Sequence, residues 1–163
     1  MDQSSYTSLR DAIDWHSVSF GYRTVELFKT AELTQAQQGY SVGPGGVSLV
    51  GDEEGDWQES WLVIGDEDLA GDPIFVDLAE EELPVYTARH GEGAWEPLLI
   101  AESFIKFFAG LALMREISEG RQNPMELAEK PLSERDVEAM IGLIATQNSK
   151  ADMEFWRSWL VGE

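Results

Sequence analysis

The sequence predicts an α+β domain: a bent, mainly antiparallel sheet of about four to six strands, flanked by helices, with a helical extension at the C-terminal end. Three observations lead there. Short apolar runs separated by Gly, Asp and Glu connectors occupy the middle of the chain, and after Ala101 apolar residues recur at helical spacing. The 163 residues, 43% of them hydrophobic, supply one self-sufficient core rather than two.

Residues 6–19 are expected to form a first helix, with Leu9, Ile13 and Val18 on a shared side, and residues 26–38 a second, shorter one. The run GYSVGPGG then breaks regular structure, because its glycines and proline favour turns. Four strands follow, at 47–50, 61–65, 73–78 and 84–87, with a fifth through 95–99; connectors this short suit a meander. In SFIKFFAGLALMREISE, Phe104, Phe107, Phe108, Leu111, Met114 and Ile117 follow a helical period, and Ser103 is placed to cap it. A further helix starts at Pro131 and Ser133, with Asp136 three positions after the cap and Val137, Met140, Ile141 and Ile144 on one side. The tail SKADMEFWRSWL makes a last helix that aligns Met153, Trp156 and Leu160.

Charge is the strongest compositional signal. Thirty-one acidic against 11 basic residues give a formal charge of -20, which opposes binding to nucleic acid and to anionic membranes and favours a basic protein partner. The charge is also local: between Thr30 and Ala88 there is no Lys or Arg, while the C-terminal third mixes both signs. That span therefore reads as a directed acidic surface, beside the plainer reading that net charge keeps the protein dispersed. The chain has no Cys, so disulfides, thiolate metal sites and thiol nucleophiles are excluded. No secretory signal or membrane span is legible at the start or within the chain, and a cytoplasmic location is expected.

The segment GDEDLAGDPIFVDL carries Asp66, Asp68 and Gly71 at calcium-loop positions 1, 3 and 6. Ala70 and Asp77 weaken two ligand positions, and the flanking runs read as strands. His16 and His90 lack the motifs that orient a catalytic base, and the many carboxylates define no spacing for acid–base work. No cofactor or metal site is expected. Trp57, embedded in GDEEGDWQES, has the composition of an interface anchor, although a loop packed onto its own domain reads the same way.

From WLVIGDEDLAGDPIFVDL through PVYTARHGEGAWEPLLIAESFIKFF the chain resembles the SUKH superfamily, a group of cell-wall-assembly regulators and bacterial immunity proteins. The resemblance is carried by Ile64 and Gly65, the acidic turn from Asp66 to Ala70, Gly71 and Asp72, the strand from Pro84 to Tyr86, His90, and Ala101 to Phe104. It covers residues 57–111; Lys106 stands where the family commonly carries Glu, and the helices over 119–163 exceed its core. The resemblance implies a mixed α+β unit on a strongly bent sheet, without shared catalytic machinery. It further implies a binding role: an immunity protein that occludes a basic toxin such as a nuclease, or a regulatory or scaffolding module of a housekeeping pathway. An uncharacterised enzyme is a third reading. The candidate partner-binding residues are Asp66, Asp68, Asp72 and Trp57, and self-association through the C-terminal helix faces stays open.

Overall fold

The computed structural model describes residues 3–161. Six strands form one antiparallel meander in chain order: β1 Ser17–Phe20, β2 Arg23–Leu27, β3 Trp61–Glu67, β4 Asp72–Asp77, β5 Val85–Thr87 and β6 Leu98–Ala101. Helix α1 (Ser4–Asp11) precedes the sheet and the short α2 (Leu33–Ala36) follows β2. Four helices close the chain: α3 Phe104–Ser118, α4 Pro124–Glu129, α5 Glu134–Gln147 and α6 Glu154–Val161.

The opening of the chain differs from expectation. The expected helix over 6–19 stops at Asp11, and the expected helix over 26–38 is reduced to a 3-10 turn at Thr30–Glu32 and α2. Between them lies a hairpin. Gly21 (φ +56°) and Tyr22 form a two-residue loop, so that Phe20 pairs with Arg23 and Val18 with Val25. Val18, Phe20, Val25 and Leu27 thereby enter the core, which the helical reading would have scattered round a cylinder. Residues 47–50 are likewise no strand: they sit in an irregular loop held by isolated bridges, with Val47 and Leu49 exposed.

The runs LVIG and PIFV are continuous rather than alternating because β3 and β4 are covered on both faces. Leu62, Ile64, Ile74 and Val76 join the main core with α3, α5 and α6, while Val63 and Phe75 point into a second, aromatic-rich cluster on the opposite face. Among the described residues, no helix contributes a side chain to that second cluster. The loops around Tyr40, Val50, Trp57 and Trp95 do so instead. Register shifts between Val63 and Gly65 and between Val85 and Tyr86 bend the sheet. Gly65 is required at the first bulge, since a Cβ there would be driven into the Glu26 carbonyl oxygen of β2. Gln37 completes the edge: its amide donates to the Leu33 and Val63 carbonyls and accepts from the Val63 N–H at 3.0 Å, pairing buried peptide groups as a strand would.

The main core closes through capped helices. Ser103 Oγ accepts from the Lys106 N–H at 3.1 Å, and Ser133 and Asp136 bond each other as a capping pair at the start of α5. Asn148, 2% exposed, accepts from the Glu102 N–H and donates to the Ile144 carbonyl. Trp156, fully buried, donates its indole N–H to the Ile100 carbonyl at 2.9 Å, and the Asp152 N–H bonds the Leu99 carbonyl. The C-terminal helices are thus fastened to the last strand by polar contacts as well as by packing.

Candidate partner-binding face

The acidic segment folds as the end of β3, a tight turn and the start of β4. Each carboxylate has a different local task. Glu67 is buried beside Arg23 and accepts from the Leu69 and Ala70 N–H groups, fastening the turn. Asp68 accepts from the Thr24 N–H at 2.6 Å, tying the turn to the β1–β2 hairpin. Asp72 accepts from the His90 N–H at 2.8 Å and so holds the loop after β5.

Asp66 is placed differently. It lies directly opposite Glu26 in β2 and opposite Pro73 in β4. Like charges facing each other across a ladder are unfavourable. Burial, and after it the charges of Glu26, Asp68 and Glu67, push the Asp66 carboxyl above its ordinary range. The same cluster acts on Tyr40, whose phenol is raised first by burial and then by Asp66 and Asp72. Asp66, Asp68 and Asp72 therefore share one electrostatic neighbourhood at the β3–β4 turn.

Aromatic rings border it. Tyr40 packs on Trp95 with centroids 5.5 Å apart, and His90 meets both rings, at 6.4 Å from Tyr40 and 6.0 Å from Trp95. Tyr40 and Trp95 are each partly exposed, and His90 is exposed. At the tip of the β3–β4 turn Leu69 is 56% exposed, between Asp68 and Asp72. Asp72 also lines a groove of about 590 Å³ that continues the negative surface past Glu92, Glu96, Asp152 and Glu154, with Arg23 and Arg89 among its walls.

Trp57 is not part of this surface. It is 1% exposed and packs on Phe75 at 4.9 Å, Tyr40 at 5.2 Å and Trp95 at 5.2 Å, while its indole N–H donates to the Trp61 carbonyl. The acidic loop folds back to put it there: Asp56 accepts from the Glu53 N–H, Gly55 turns the chain at φ +91°, and the Gly51 N–H bonds the Trp57 carbonyl. The apolar side chains that reach the surface here are instead Tyr40, Trp95 and Leu69. Sequence reasoning had a usable signal for Tyr40, an aromatic within a glycine-rich turn that has no reason to be apolar.

No three His, Asp or Glu side chains among the described residues converge in a way that would hold a metal ion. Among the described residues, no helix is long and apolar enough to cross a membrane. Comparison with protein-family models, curated proteins and solved structures finds no match for this chain.

Proposed function

We propose that this chain is a protein-binding module of the immunity type, which docks its acidic loop-covered face onto a basic face of a toxin and blocks it by occlusion. The observation that carries the reading is Asp66: a half-buried carboxylate kept among Glu26, Glu67 and Asp68, next to partly exposed aromatic rings. Within the fold this arrangement is unfavourable, and a partner's Lys or Arg would relieve it. Tyr40 and Trp95 supply the flat, rigid surface that excludes water around such a contact, and Asp68 and Asp72 extend the field that steers a basic partner in. The sequence resemblance to the SUKH superfamily supplies the toxin as the kind of partner.

The test uses the full chain as bait against lysate and secreted fractions of its own source cells, at low salt and again at about 0.5 M salt, where exposed charge contacts are screened. A basic protein is expected, weakened at high salt, released by Asp66→Lys, and inhibited in its own activity by the wild-type chain. Recovery only of proteins whose binding is indifferent to both salt and Asp66→Lys would overturn the reading. Binding that depends on Asp66 but blocks no activity of the partner would assign the face to a scaffold instead.

A further inference from the structure

The two edges of the open sheet are finished differently. Along β6 the C-terminal helices bond the Leu99 and Ile100 carbonyls, whereas β1 has a strand on one side only. The Leu27 N–H bonds the His16 carbonyl, so in this register His16, Val18 and Phe20 turn their peptide groups toward β2. The intervening Ser17 and Ser19 therefore turn theirs outward, and no backbone group of the described residues bonds them. The next outward position, Gly21, shows what such a group takes: its N–H is held at 2.8 Å by the Arg121 carbonyl, from the segment after α3. Ser17, which is exposed, and Ser19, which is partly so, are left as a short template for an extended chain.

The side chains along this edge select what such a chain carries. Val18, Phe20, Val25 and Leu27 enter the main core, so Ser17, Ser19, Thr24 and Glu26 share the opposite face. Ser17 is paired with Glu26, and Glu26 with Asp66, which makes one row from the edge into the sheet: a small hydroxyl, then two facing carboxylates. The neighbouring row runs from Ser19 to Thr24, whose N–H bonds Asp68. Glu26 is exposed and forms no ion pair among the described residues. Neighbouring strands lie about 4.8 Å apart, a step that a lysine side chain spans. A Lys on an added strand, opposite Ser17, meets no bulk there and reaches over it to Glu26, relieving the repulsion between Glu26 and Asp66. Residues alternating with it continue the apolar rows of Val18 and Phe20. We infer that β1 is a strand-addition site for an extended, antiparallel segment of a partner that alternates basic and apolar residues. This rests on Asp66 as the contact for a basic partner, and adds the main chain that presents the cation. A second copy of this chain fits the edge poorly, since its own edge sequence SVSF supplies no cation to set against the carboxylates.

The probe is a blocked peptide of about eight residues alternating Lys and Val, titrated with the full chain by fluorescence anisotropy at about 0.05 M sodium chloride. In an antiparallel pair the residues opposite Ser17 and Ser19 are the lysines, and their peptide nitrogens face β1. Methylating those nitrogens is expected to weaken binding at least about 10-fold, whereas methylating the valine nitrogens, which face away, leaves it within about twofold. A peptide of the same composition with its lysines grouped at one end should bind weakly, and the alternating peptide should slow amide exchange at Ser17 and Ser19. Ser17→Pro removes an outward donor at the first residue of an edge strand, where proline is tolerated. With unchanged circular dichroism it is expected to weaken binding about 5-fold. Asp66→Lys is expected to weaken it about 10-fold. No binding of the alternating peptide up to about 1 mM, or equal binding of the alternating, grouped and lysine-methylated peptides, would overturn the strand site and leave Asp66 open to a folded basic surface. Binding lost on lysine methylation but indifferent to Asp66→Lys would instead overturn the charged row, and with it the reading of Asp66. Self-association of the chain alone that slows exchange at Ser17 and Ser19 would give the edge to a second copy and refute the inference.

Discussion

Asp66 shows how one side chain would link stability to the recognition proposed here. Its carboxyl is raised by burial and by neighbouring carboxylates, so the folded state holds its proton more tightly than the unfolded chain does. The stabilising protonated form is therefore fully present below the unfolded carboxylate pKa. It is lost as pH rises through the higher folded value. Asp66→Asn removes that loss, so the variant is expected to melt above the wild type at pH 7. The gap should close as pH falls into the ordinary carboxylate range, as thermal denaturation at a series of pH values would read. A gap independent of pH would mean that the strain lies in packing instead. A cation bound next to Asp66 acts in the opposite sense to its carboxylate neighbours, and partner binding should release protons and tighten as pH rises.

At the scale of the element, the two mid-helix glycines outside the turns have opposite expected behaviour. Gly110 of α3 faces the Trp156 ring, and a Cβ there would come within 2.7 Å of it. That ring is fully buried and its indole is tied to the Ile100 carbonyl, so it has little freedom to move. Gly110→Ala gains up to about 1 kcal/mol of helix propensity but costs about 1–3 kcal/mol in overpacking, and a net loss is expected. Gly142 of α5 has nothing within 4 Å of its missing Cβ. Gly142→Ala should therefore stabilise by up to about 1 kcal/mol. Urea denaturation of the two variants side by side checks both signs.

The elements also differ in how legible they were. Helices α3 and α5 could be read because each combines a side-chain cap, Ser103 or Ser133, with a 3.6-residue period, and both signals are local, whereas the short α4 was not expected as a helix. β3 and β4 could be read as strands from their apolar runs, whereas the hairpin of β1 and β2 was missed. Its residues Val18, Phe20, Val25 and Leu27 alternate as a strand pair should, but Leu9 and Ile13 upstream extend a helical period into them. Residues 47–50 misled in the other direction: VSLV has strand composition but no neighbour to pair with beyond isolated bridges. Within the candidate site, Asp66, Asp68 and Asp72 could be named as candidates because acidity survives in sequence. The buried state of Trp57 could not be decided, because it follows from how a long loop closes over the sheet, which no local pattern encodes.

Taken whole, the molecule is two packing regimes on either side of one sheet. Helices with broad apolar surfaces cover one side, and loops rich in aromatics and carboxylates cover the other. The proposed function draws on that geometry, with the loop side as the face that would meet a basic partner.

The polar contacts between the C-terminal helices and β6 have one more consequence. As the last strand of an open sheet, β6 would otherwise present free peptide groups to any passing extended chain. Asp152 and Trp156 occupy the Leu99 and Ile100 carbonyls, and Asn148 occupies the Glu102 N–H. The helical extension is in this respect a seal on a strand edge, and a chain ending at Ser118 should lose solubility through strand-to-strand growth. Its aggregates would bind amyloid dyes and seed their own kind, while the intact protein, for all its exposed leucines, would not.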